Sequence, residues 1–507
     1  MALSFAKSII NCQARQAVWS DTSIRDRLEI VLKFRYLLVE NVDRLCLTVT
    51  QDIGRPAHEV LATDVLPTAD ALRFLERQSK RILRPKKIPG SMRPWWLLGE
   101  RETIYRRPLG IVGIIGTWNY PILLNAVTIA QAFVAGNGVV WKPSELTPTF
   151  AEFLHELFLQ AGVPAELFVR LPADRESGTL LLEADIDHVI FTGSANVGRK
   201  IAARLGERLI PCTLELSGCD AMFVLDDADP ILAARAAWFG MTMNVGQTCL
   251  AVRRAFVHRS NYERFLEKLR SLSKGRHPEP LVLVGQATQA ERLVKEALTA
   301  GASLLVGESA NAADDPPRFS PSIVIDARPS MTICQEASFA PLLAVLPFDN
   351  DDQLTEMNKS CSYGLGASVF TGNRKRAEKL ACKLRVGSVS INDVIVGTAH
   401  PATGFGGVRH SGWGVTRGEE GLLALTVPQV VTRRLGRFRP HYDSHDPVLY
   451  VILRALLEWV HGSRWRGRWN GFRRLVGGLL RFGKSAGDSS ELPARPSKDE
   501  LPPRKGE

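Results

Sequence analysis

The sequence has no CxxC pair and no cluster of cysteines with histidines, although its 507 residues include eight cysteines and ten histidines. Metal centres use such ligands at short, regular spacings, so we predict no metal site. Isolated cysteines in a chain of this length are typical of reduced thiols in a cytosol-like compartment. The first twenty residues lack the apolar run of a signal peptide and predict an N-terminal helix rather than a transit peptide. We therefore expect a cytoplasmic protein.

The sequence also has little net charge outside one segment. Residues 461–484 contain six arginines, one lysine and no acid, so they carry +7 of the total net charge of +11. The rest of the chain, at +4, is too nearly balanced to indicate a nucleic-acid-binding protein. We predict no nucleic-acid partner.

The basic segment follows an apolar stretch at 447–460. That stretch has 14 residues, which is too short for a bilayer, since a spanning helix needs about 20. The residues after it include Trp465 and Trp469 and resemble an interfacial membrane anchor; a helix that packs on the protein's own surface or on a dimer partner is the alternative. We predict that 437–484 form an amphipathic basic tail, peripheral on a membrane, and that 485–507 are disordered.

The length exceeds one ordinary hydrophobic core and predicts two or three domains. From residue 107 onward, apolar runs rich in Val and Ile alternate with helix-like stretches. The predicted strands are 111–115, 139–141, 168–171 and 188–191, and the predicted helices lie near 122–135, 148–161, 176–183 and 197–206. Buried parallel strands joined by crossover helices give this alternation, so we predict an α/β fold with a doubly wound dinucleotide-binding domain. A second α/β unit is predicted from strand candidates at 221–225, 255–258, 366–371 and 387–392.

The sequence NVGQTC, at 244–249, lies near the start of this second unit. Clefts between domains commonly bind ligands, so Cys249 is a candidate nucleophile, although one cysteine among eight is more often structural. Asn119, in WNYP after the first predicted strand, lies at a strand-to-helix turn. Its amide is able to donate to a developing oxyanion; the alternative is a turn residue that caps the next helix.

Two further motifs contain candidate residues. Glu215, in LELSG, is an acid within an apolar strand-like run, where burial raises the pKa of a carboxyl and suits it to act as a general base. The alternative is a buried carboxylate satisfied by backbone amides. FTGSANVG, with Gly193 and Gly198, closes a strand and opens a helix, so its backbone amides suit a phosphate. Its GxxxxG spacing is a weak signal in isolation.

Together these motifs resemble the aldehyde dehydrogenase superfamily over residues from about 20 to about 430. The motifs that carry the resemblance are RRPLGIVGIIGTWNYP, GNGVVWKPSELTP, FTGSANVG, TLELSG, NVGQTC, ASFAP and GFGGVRHSGWG. The compact N-terminus is similar to the short, class 3-like members, which implies a homodimer. The resemblance also implies a dinucleotide-binding domain at 1–100 and 107–216, a catalytic domain at 217–403, and a small β oligomerisation arm at 101–106 and 404–436.

The resemblance implies a role for each matching residue. Cys249 is implied to be the nucleophile that forms a thiohemiacetal and then a thioester, and Glu215 the base that activates water. Asn119, with the Cys249 backbone N–H, is implied to form the oxyanion hole. The cofactor, NAD or NADP, is implied to contact a larger set: Thr117, Trp118, Lys142, Pro143, Ser144, Glu145, Gly193, Ser194, Gly198, Leu216 and Phe339. A thiolate needs no strong base beside it where local dipoles lower its pKa.

Two motifs depart from the family pattern. ELSGC has Ser217 and Cys219 where ELGGK is common, and QEASFAP has Ala337 at the position of the glutamate that binds the nicotinamide ribose. Glu336 matches the preceding acid, and Ala340 replaces a glycine. We expect oxidation of an aldehyde to the acid, with an apolar, long-chain aldehyde suggested by the tail. The alternatives are transfer of the thioester to coenzyme A, or a catalytically weakened membrane-associated scaffold of the same fold.

Overall fold

The structure, a computed structural model, describes residues 2–94, 97, 99–307, 316–436 and 447–485. The predicted disorder at 486–507 and the tail residues 437–446 lie outside the described residues. The helices are α1 Ala2–Asp21, α2 Ile24–Glu40, α3 Val42–Ile53, α4 Ala57–Val60, α5 Leu66–Ile82, α6 Val127–Ala135, α7 Pro148–Gln160, α8 Arg175–Glu183, α9 Ala195–Glu207, α10 Pro230–Thr242, α11 Tyr262–Ser273, α12 Val284–Thr299, α13 Asp351–Lys359, α14 Arg374–Ala381, α15 Gly418–Ala424, α16 Pro447–His461 and α17 Trp465–Ser485.

The strands form two large sheets and two small ones. They are β1 Lys86–Lys87, β2 Glu100–Pro108, β3 Ile111–Ile115, β4 Gly138–Lys142, β5 Phe168–Arg170, β6 His188–Gly193, β7 Cys212–Leu216, β8 Asp220–Val224, β9 Val252–His258, β10 Glu279–Pro280, β11 Ser303–Val306, β12 Arg318–Phe319, β13 Ser322–Ile325, β14 Leu342–Phe348, β15 Gly366–Phe370, β16 Ser388–Ile391, β17 Gly412–Trp413 and β18 Thr426–Arg434. Each strand predicted in the first α/β unit is present within one or two residues of its predicted bounds.

The first large sheet has the order β17-β7-β6-β3-β4-β5. All its neighbours are parallel except β17, which runs antiparallel to β7. Helices cover both faces: Phe133 of α6 and Phe158 of α7 pack in the core of one face, and Leu181 of α8 and Leu205 of α9 in the core of the other. Because both faces are buried, β3 and β4 are apolar along nearly their whole length. This doubly wound arrangement confirms the predicted fold class.

The second large sheet has the order β11-β13-β14-β9-β8-β15-β16. It is parallel apart from β11, which pairs antiparallel with β13. Phe265 of α11 lies in the core of one face, and Ala290 of α12 in the core of the other. Both large sheets collect the carboxyl ends of parallel strands along one edge, which is where α/β proteins place their ligands.

A three-stranded sheet of order β1-β2-β18 includes parts of the segments expected to form an arm. β18 is exposed along most of its length, with Val427, Val430 and Val431 among its exposed side chains. β17, which lies within residues assigned to the arm, pairs instead with β7 of the first large sheet. The domain boundaries stay a prediction.

The helices α16 and α17 pack on each other as a hairpin. Ile452, Ala455, Leu456 and Leu475 form its buried core. Gly471 permits the close approach, because a Cβ there would lie 2.6 Å from the Trp459 backbone nitrogen. None of the helices in the described ranges is long and apolar enough to cross a lipid bilayer.

Candidate active site

The segment that contains Cys249 is a tight turn after α10. Asn244, Val245 and Gly246 have φ values of 52°, 53° and 69°, so three successive residues adopt the left-handed conformation. A Cβ on Gly246 would lie 2.3 Å from the Ala340 carbonyl carbon, and only glycine fits there. The guanidinium of Arg253, in β9, fixes the turn by donating to the carbonyls of Gly246 (2.6 Å) and Thr248 (3.2 Å).

Asn119 reaches this turn from the end of the first sheet. Its Nδ2 donates to the Gln247 carbonyl at 3.0 Å, and its Oδ1 accepts from the Thr117 hydroxyl at 3.0 Å. The neighbouring Tyr120 hydroxyl lies 2.6 Å from Thr248 Oγ1. The helical turn Ile122–Ala126 begins without a side-chain cap, so the capping alternative for Asn119 is wrong.

Glu215 lies in β7 and is 5% exposed. Its Oε1 accepts from the Thr416 hydroxyl at 3.3 Å, and its Oε2 has no hydrogen-bond partner among the described residues. Backbone amides therefore do not satisfy this carboxyl, contrary to the alternative interpretation. Burial raises the pKa of Glu215 to about 8, although Arg417 and the Thr416 hydrogen bond lower it in part.

Cys249 is half-buried. Burial raises the pKa of its thiol to about 12, the charges of Asp220 and Glu215 add to that rise, and Arg417 opposes it. A backbone hydrogen bond from Leu250 lowers this pKa in part, as expected of a local dipole, but burial outweighs it. The thiol needs a nearby positive charge or a proton acceptor to become a thiolate.

Two cavities are lined by Cys249. The first, of about 260 Å³, is lined by predicted site residues from both large sheets: Thr117, Trp118, Asn119, Gly193, Ser194, Glu215, Leu216, Cys249 and Phe339. The second, of about 170 Å³, is also lined by Cys249 and has mainly apolar walls. Residues that are distant in sequence thus line two cavities that share Cys249.

A sequence profile of the aldehyde dehydrogenase family matches residues 4–431. The chain belongs to the aldehyde dehydrogenase family. The 4,4'-diapolycopene aldehyde oxidase of Methylomonas sp is 32% identical over 456 residues, which cover 88% of this chain and 85% of that protein. Betaine aldehyde dehydrogenase of Vibrio vulnificus strain CMCP6 is 32% identical over 442 residues, or 84% of this chain and 89% of that protein.

Solved structures agree with these sequence relatives. The NAD+ complex of aldehyde dehydrogenase from Bacillus cereus has a TM-score of 0.77 and 29% identity to this chain, over 82% of this chain and 86% of that one. This chain is an NAD(P)-dependent oxidoreductase that acts on aldehydes. The predictions of the family and of NAD or NADP as cofactor are confirmed.

The residues at the carboxyl edge of the first sheet fit a dinucleotide. Lys142, at the end of β4, forms an ion pair with Glu145 at 2.9 Å, and Arg175 lies 3.4 Å from the same carboxylate. Both partners suit ribose hydroxyls, as donor and acceptor. Pro143 and Ser144 connect Lys142 to Glu145, and Ser144 Oγ accepts from the Leu146 backbone N–H.

The first turn of α9 suits the pyrophosphate of this aldehyde dehydrogenase's cofactor. Gly193 ends β6, and Ser194 caps α9 by accepting from the Val197 backbone N–H. A Cβ on Gly198 would lie 2.6 Å from the Leu216 side chain, so this glycine lets Leu216 pack against the helix. A helix N-terminus of this kind favours negative charge.

The residues that depart from the family motifs lie in different surroundings in the structure. Ala337 lines the first cavity, whereas the neighbouring Glu336 is bound to Arg292 of α12 and does not take its place. Cys219 is buried beside the Cys334 carbonyl, and Ser217 lines the first cavity. Within the described ranges, no group of three or more His, Cys, Asp or Glu is arranged to hold a metal ion.

Sequence reasoning missed Thr416 and Arg417. Both line the first cavity, and Arg417 lines the second as well. The sequence feature that could have indicated a role for them is their position, within three residues of the end of the GFGGVRHSGWG motif. A single arginine beside two glutamates in the sequence predicts an exposed side chain, and Arg417 is only 8% exposed.

Proposed function

We propose that this enzyme oxidises an apolar, long-chain aldehyde to the carboxylic acid, with Cys249 as nucleophile. The apolar second cavity, which Cys249 also lines, carries this proposal. Its apolar lining residues come from several segments that are distant in sequence: Ala62, Pro67, Leu123, Leu124, Phe239, Met243, Leu250, Ile395, Val396, Ala399 and Phe405. Burying a hydrocarbon chain against such a lining favours binding by roughly 25 cal/mol per Å² of apolar surface removed from water.

Attack by Cys249 on the aldehyde carbon would give a thiohemiacetal whose oxygen carries a negative charge. Asn119 is the proposed donor to that oxygen, together with the Cys249 backbone N–H, because its amide is already held against the Cys249 turn through Gln247. A fixed donor stabilises the charge without reorganising. The bound dinucleotide would supply the hydride acceptor at this stage, and loss of hydride leaves a thioester on Cys249.

Glu215 is the proposed base for the second half of the reaction. Its unpartnered Oε2 and its place on the wall of the first cavity support this role. The ionised carboxylate takes a proton from water as the water attacks the thioester carbon, and the acid leaves from Cys249. The presence of Glu215 favours water over coenzyme A as acceptor, and the intact Cys249 and Asn119 favour an enzyme over a scaffold.

The test is a series of saturated aldehydes from propanal to hexadecanal, followed at the nicotinamide absorbance with NAD and with NADP. We expect kcat/KM to rise with chain length and Cys249→Ser to abolish turnover. Equal kcat/KM for propanal and dodecanal would contradict the apolar substrate. Turnover that requires coenzyme A would favour acyl transfer instead, and absence of turnover with every aldehyde would favour the scaffold.

We also propose that the α16–α17 hairpin binds an anionic membrane surface. An apolar stripe on α17 supports this, with Trp465 78% and Trp469 53% exposed and Val476 and Leu480 following at helical spacing. The basic residues of 461–484, with no acid among them, complement anionic lipid head groups. A membrane-bound enzyme would meet a long-chain aldehyde where that aldehyde partitions.

The proposed homodimer has its support in β18. Val430 is 60% exposed on this strand, and Val427 and Val431 are also exposed. An exposed apolar strand commonly pairs with another chain. Light scattering should give twice the chain mass, and Val430→Lys should shift it toward the monomer; an unchanged dimer mass in that variant would locate the interface elsewhere.

A further inference from the structure

Arg417 lies where the two cavities meet. Both cavities share the walls formed by Cys249, Arg417 and Phe405. The guanidinium stacks on the Phe405 ring, with its carbon 4.5 Å from the ring centroid. The side chain therefore borders the same two cavities as Cys249.

The backbone holds Arg417 in an unfavourable conformation. Its φ is 58°, in the left-handed region that side chains other than glycine rarely adopt. Gln131 fixes the backbone on both sides: its Oε1 accepts from the Arg417 backbone N–H at 3.1 Å, and its Nε2 donates to the Gly418 carbonyl at 3.2 Å. Strain that the surroundings maintain in this way is characteristic of functional positions.

Among the described residues, the buried cation has no carboxylate within 4 Å as an ion-pair partner, and its Nε has no hydrogen-bond partner. A buried, unpaired charge is costly unless another group compensates it. Burial lowers the pKa of the Arg417 guanidinium, and the negative charges of Glu215 and of an ionised Cys249 oppose that shift.

We infer that Arg417 sets the charge state of the nucleophile: its guanidinium, held at the junction of the two cavities, stabilises the Cys249 thiolate before attack. The thiol proton passes to water in the cavity, and the negative sulfur is left beside a fixed cation. This inference rests on the proposed role of Cys249. Arg417 acts through Cys249, so it is a positioning residue in this reaction.

The other charged and titratable groups around Cys249 either destabilise the thiolate or are already hydrogen-bonded to other groups. Asp220 and Glu215 raise the pKa of the thiol, and Arg417 lowers it. Arg253 also interacts with Cys249, but its guanidinium donates to three carbonyls of the turn and its neighbour. Tyr120 is a neutral donor or acceptor to Thr248, with the pKa of its phenol raised above the usual value by burial. Of these groups, Arg417 is therefore the positively charged one that is free to stabilise the thiolate.

The test is the rate of Cys249 alkylation by iodoacetamide across a pH series, in the full-length protein. Because the chain has eight cysteines, modification is followed on the Cys249 peptide by mass spectrometry. The variants are Arg417→Gln, which removes the charge, and Arg417→Lys, which keeps it. The matched control is Arg44→Gln, since Arg44 also stacks on an aromatic ring, that of Phe153 at 3.9 Å.

We expect Arg417→Gln to slow alkylation at neutral pH by about tenfold, which corresponds to one pKa unit, and to displace the pH profile to higher pH. Arg417→Lys and Arg44→Gln should stay close to wild type. An unchanged profile in Arg417→Gln, or a Lys variant as slow as the Gln variant, would overturn the inference. If Arg417→Gln does not fold, the Lys variant and a methionine variant at the same position carry the comparison.

This assay uses neither aldehyde nor dinucleotide. The inference about Arg417 is therefore measured separately from the proposed reaction. Full aldehyde turnover in Cys249→Ser would contradict the proposed function and leave the alkylation result in place.

Discussion

The Asn119 side-chain amide donates to the Gln247 carbonyl, two residues before Cys249, across 3.0 Å. Asn119 follows β3 of the first large sheet, and Gln247 precedes β9 of the second. This hydrogen bond therefore joins the loop after β3 to the turn that carries the nucleophile. It also defines the geometry of the proposed oxyanion hole.

Asn119→Ala should lower kcat/KM by about 100- to 1000-fold, the usual cost of losing one oxyanion donor. Asn119→Asp should be equally slow, because it keeps the shape of the side chain and loses the donor. Steady-state kinetics with NAD check this, with thermal unfolding as the control for folding. An Asp variant with wild-type activity would show that the amide donor is not needed.

Glu215 should impose a pH dependence on release of the acid. The base acts only when ionised, and its pKa is raised to about 8, so the deacylation rate should rise with pH through about 8 and fall below it. Glu215→Gln should slow deacylation by about 100-fold or more and remove this titration. Rapid-mixing experiments should then show a burst of reduced cofactor followed by slow turnover; a Gln variant with the wild-type pH profile would assign the base elsewhere.

A larger side chain in the second cavity should lower the activity toward long aldehydes more than toward short ones. Met243 lines the second cavity and not the first, so Met243→Trp should lower kcat/KM for dodecanal by about tenfold while propanal is nearly unaffected, in line with the cost of overpacking. Met92→Trp is the control, because Met92 is 73% exposed and lines neither cavity. An equal loss for both aldehydes would mean that the chain does not occupy this cavity.

Ala337 gives a gain-of-function test. It lines the first cavity at the position where family resemblance implies a ribose-binding glutamate. Ala337→Glu should lower the KM for NAD by about tenfold, the range of a hydrogen bond to a charged group, and Ala337→Gln should give a smaller change. Cofactor titrations measure both. A higher KM in the Glu variant would show that this wall does not face the ribose.

Membrane binding should depend on the tryptophans of α17. Flotation with vesicles of phosphatidylcholine and phosphatidylglycerol should recover the wild-type protein, and recovery should fall in Trp465→Ser/Trp469→Ser and at high salt, since salt screens the basic residues. Tyr36→Ser is the control, because Tyr36 is an exposed aromatic residue on α2. Flotation that the double variant leaves unchanged would contradict the proposed surface.

The elements that the sequence predicted well are those in which one local pattern decides the structure. The mostly apolar β3 and β4 and the Gly-bounded β6 are examples, since burial on both faces selects Val and Ile regardless of distant partners. β14 was not predicted, because Pro347 interrupts its apolar run and proline is unfavourable within strands. In the structure β14 is nevertheless paired on both sides, with β13 and β9.

The same distinction applies to the residues of the candidate site. Asn119, Glu215 and Cys249 lie in motifs whose local conformation places them at strand ends or turns, and so they were predictable. Arg417 was not, because its burial depends on Gln131, 286 residues away, and on the ring of Phe405. No local pattern distinguishes such an arginine from a solvated one.

The Arg253 guanidinium has a wider effect than fixing the turn. Besides Gly246 and Thr248 it donates to the Ala340 carbonyl at 2.6 Å, one residue after Phe339, which lines the first cavity. One planar group thus binds both the turn before Cys249 and the backbone next to Phe339. The position of the nucleophile's turn and that of this cavity wall therefore depend on the same side chain.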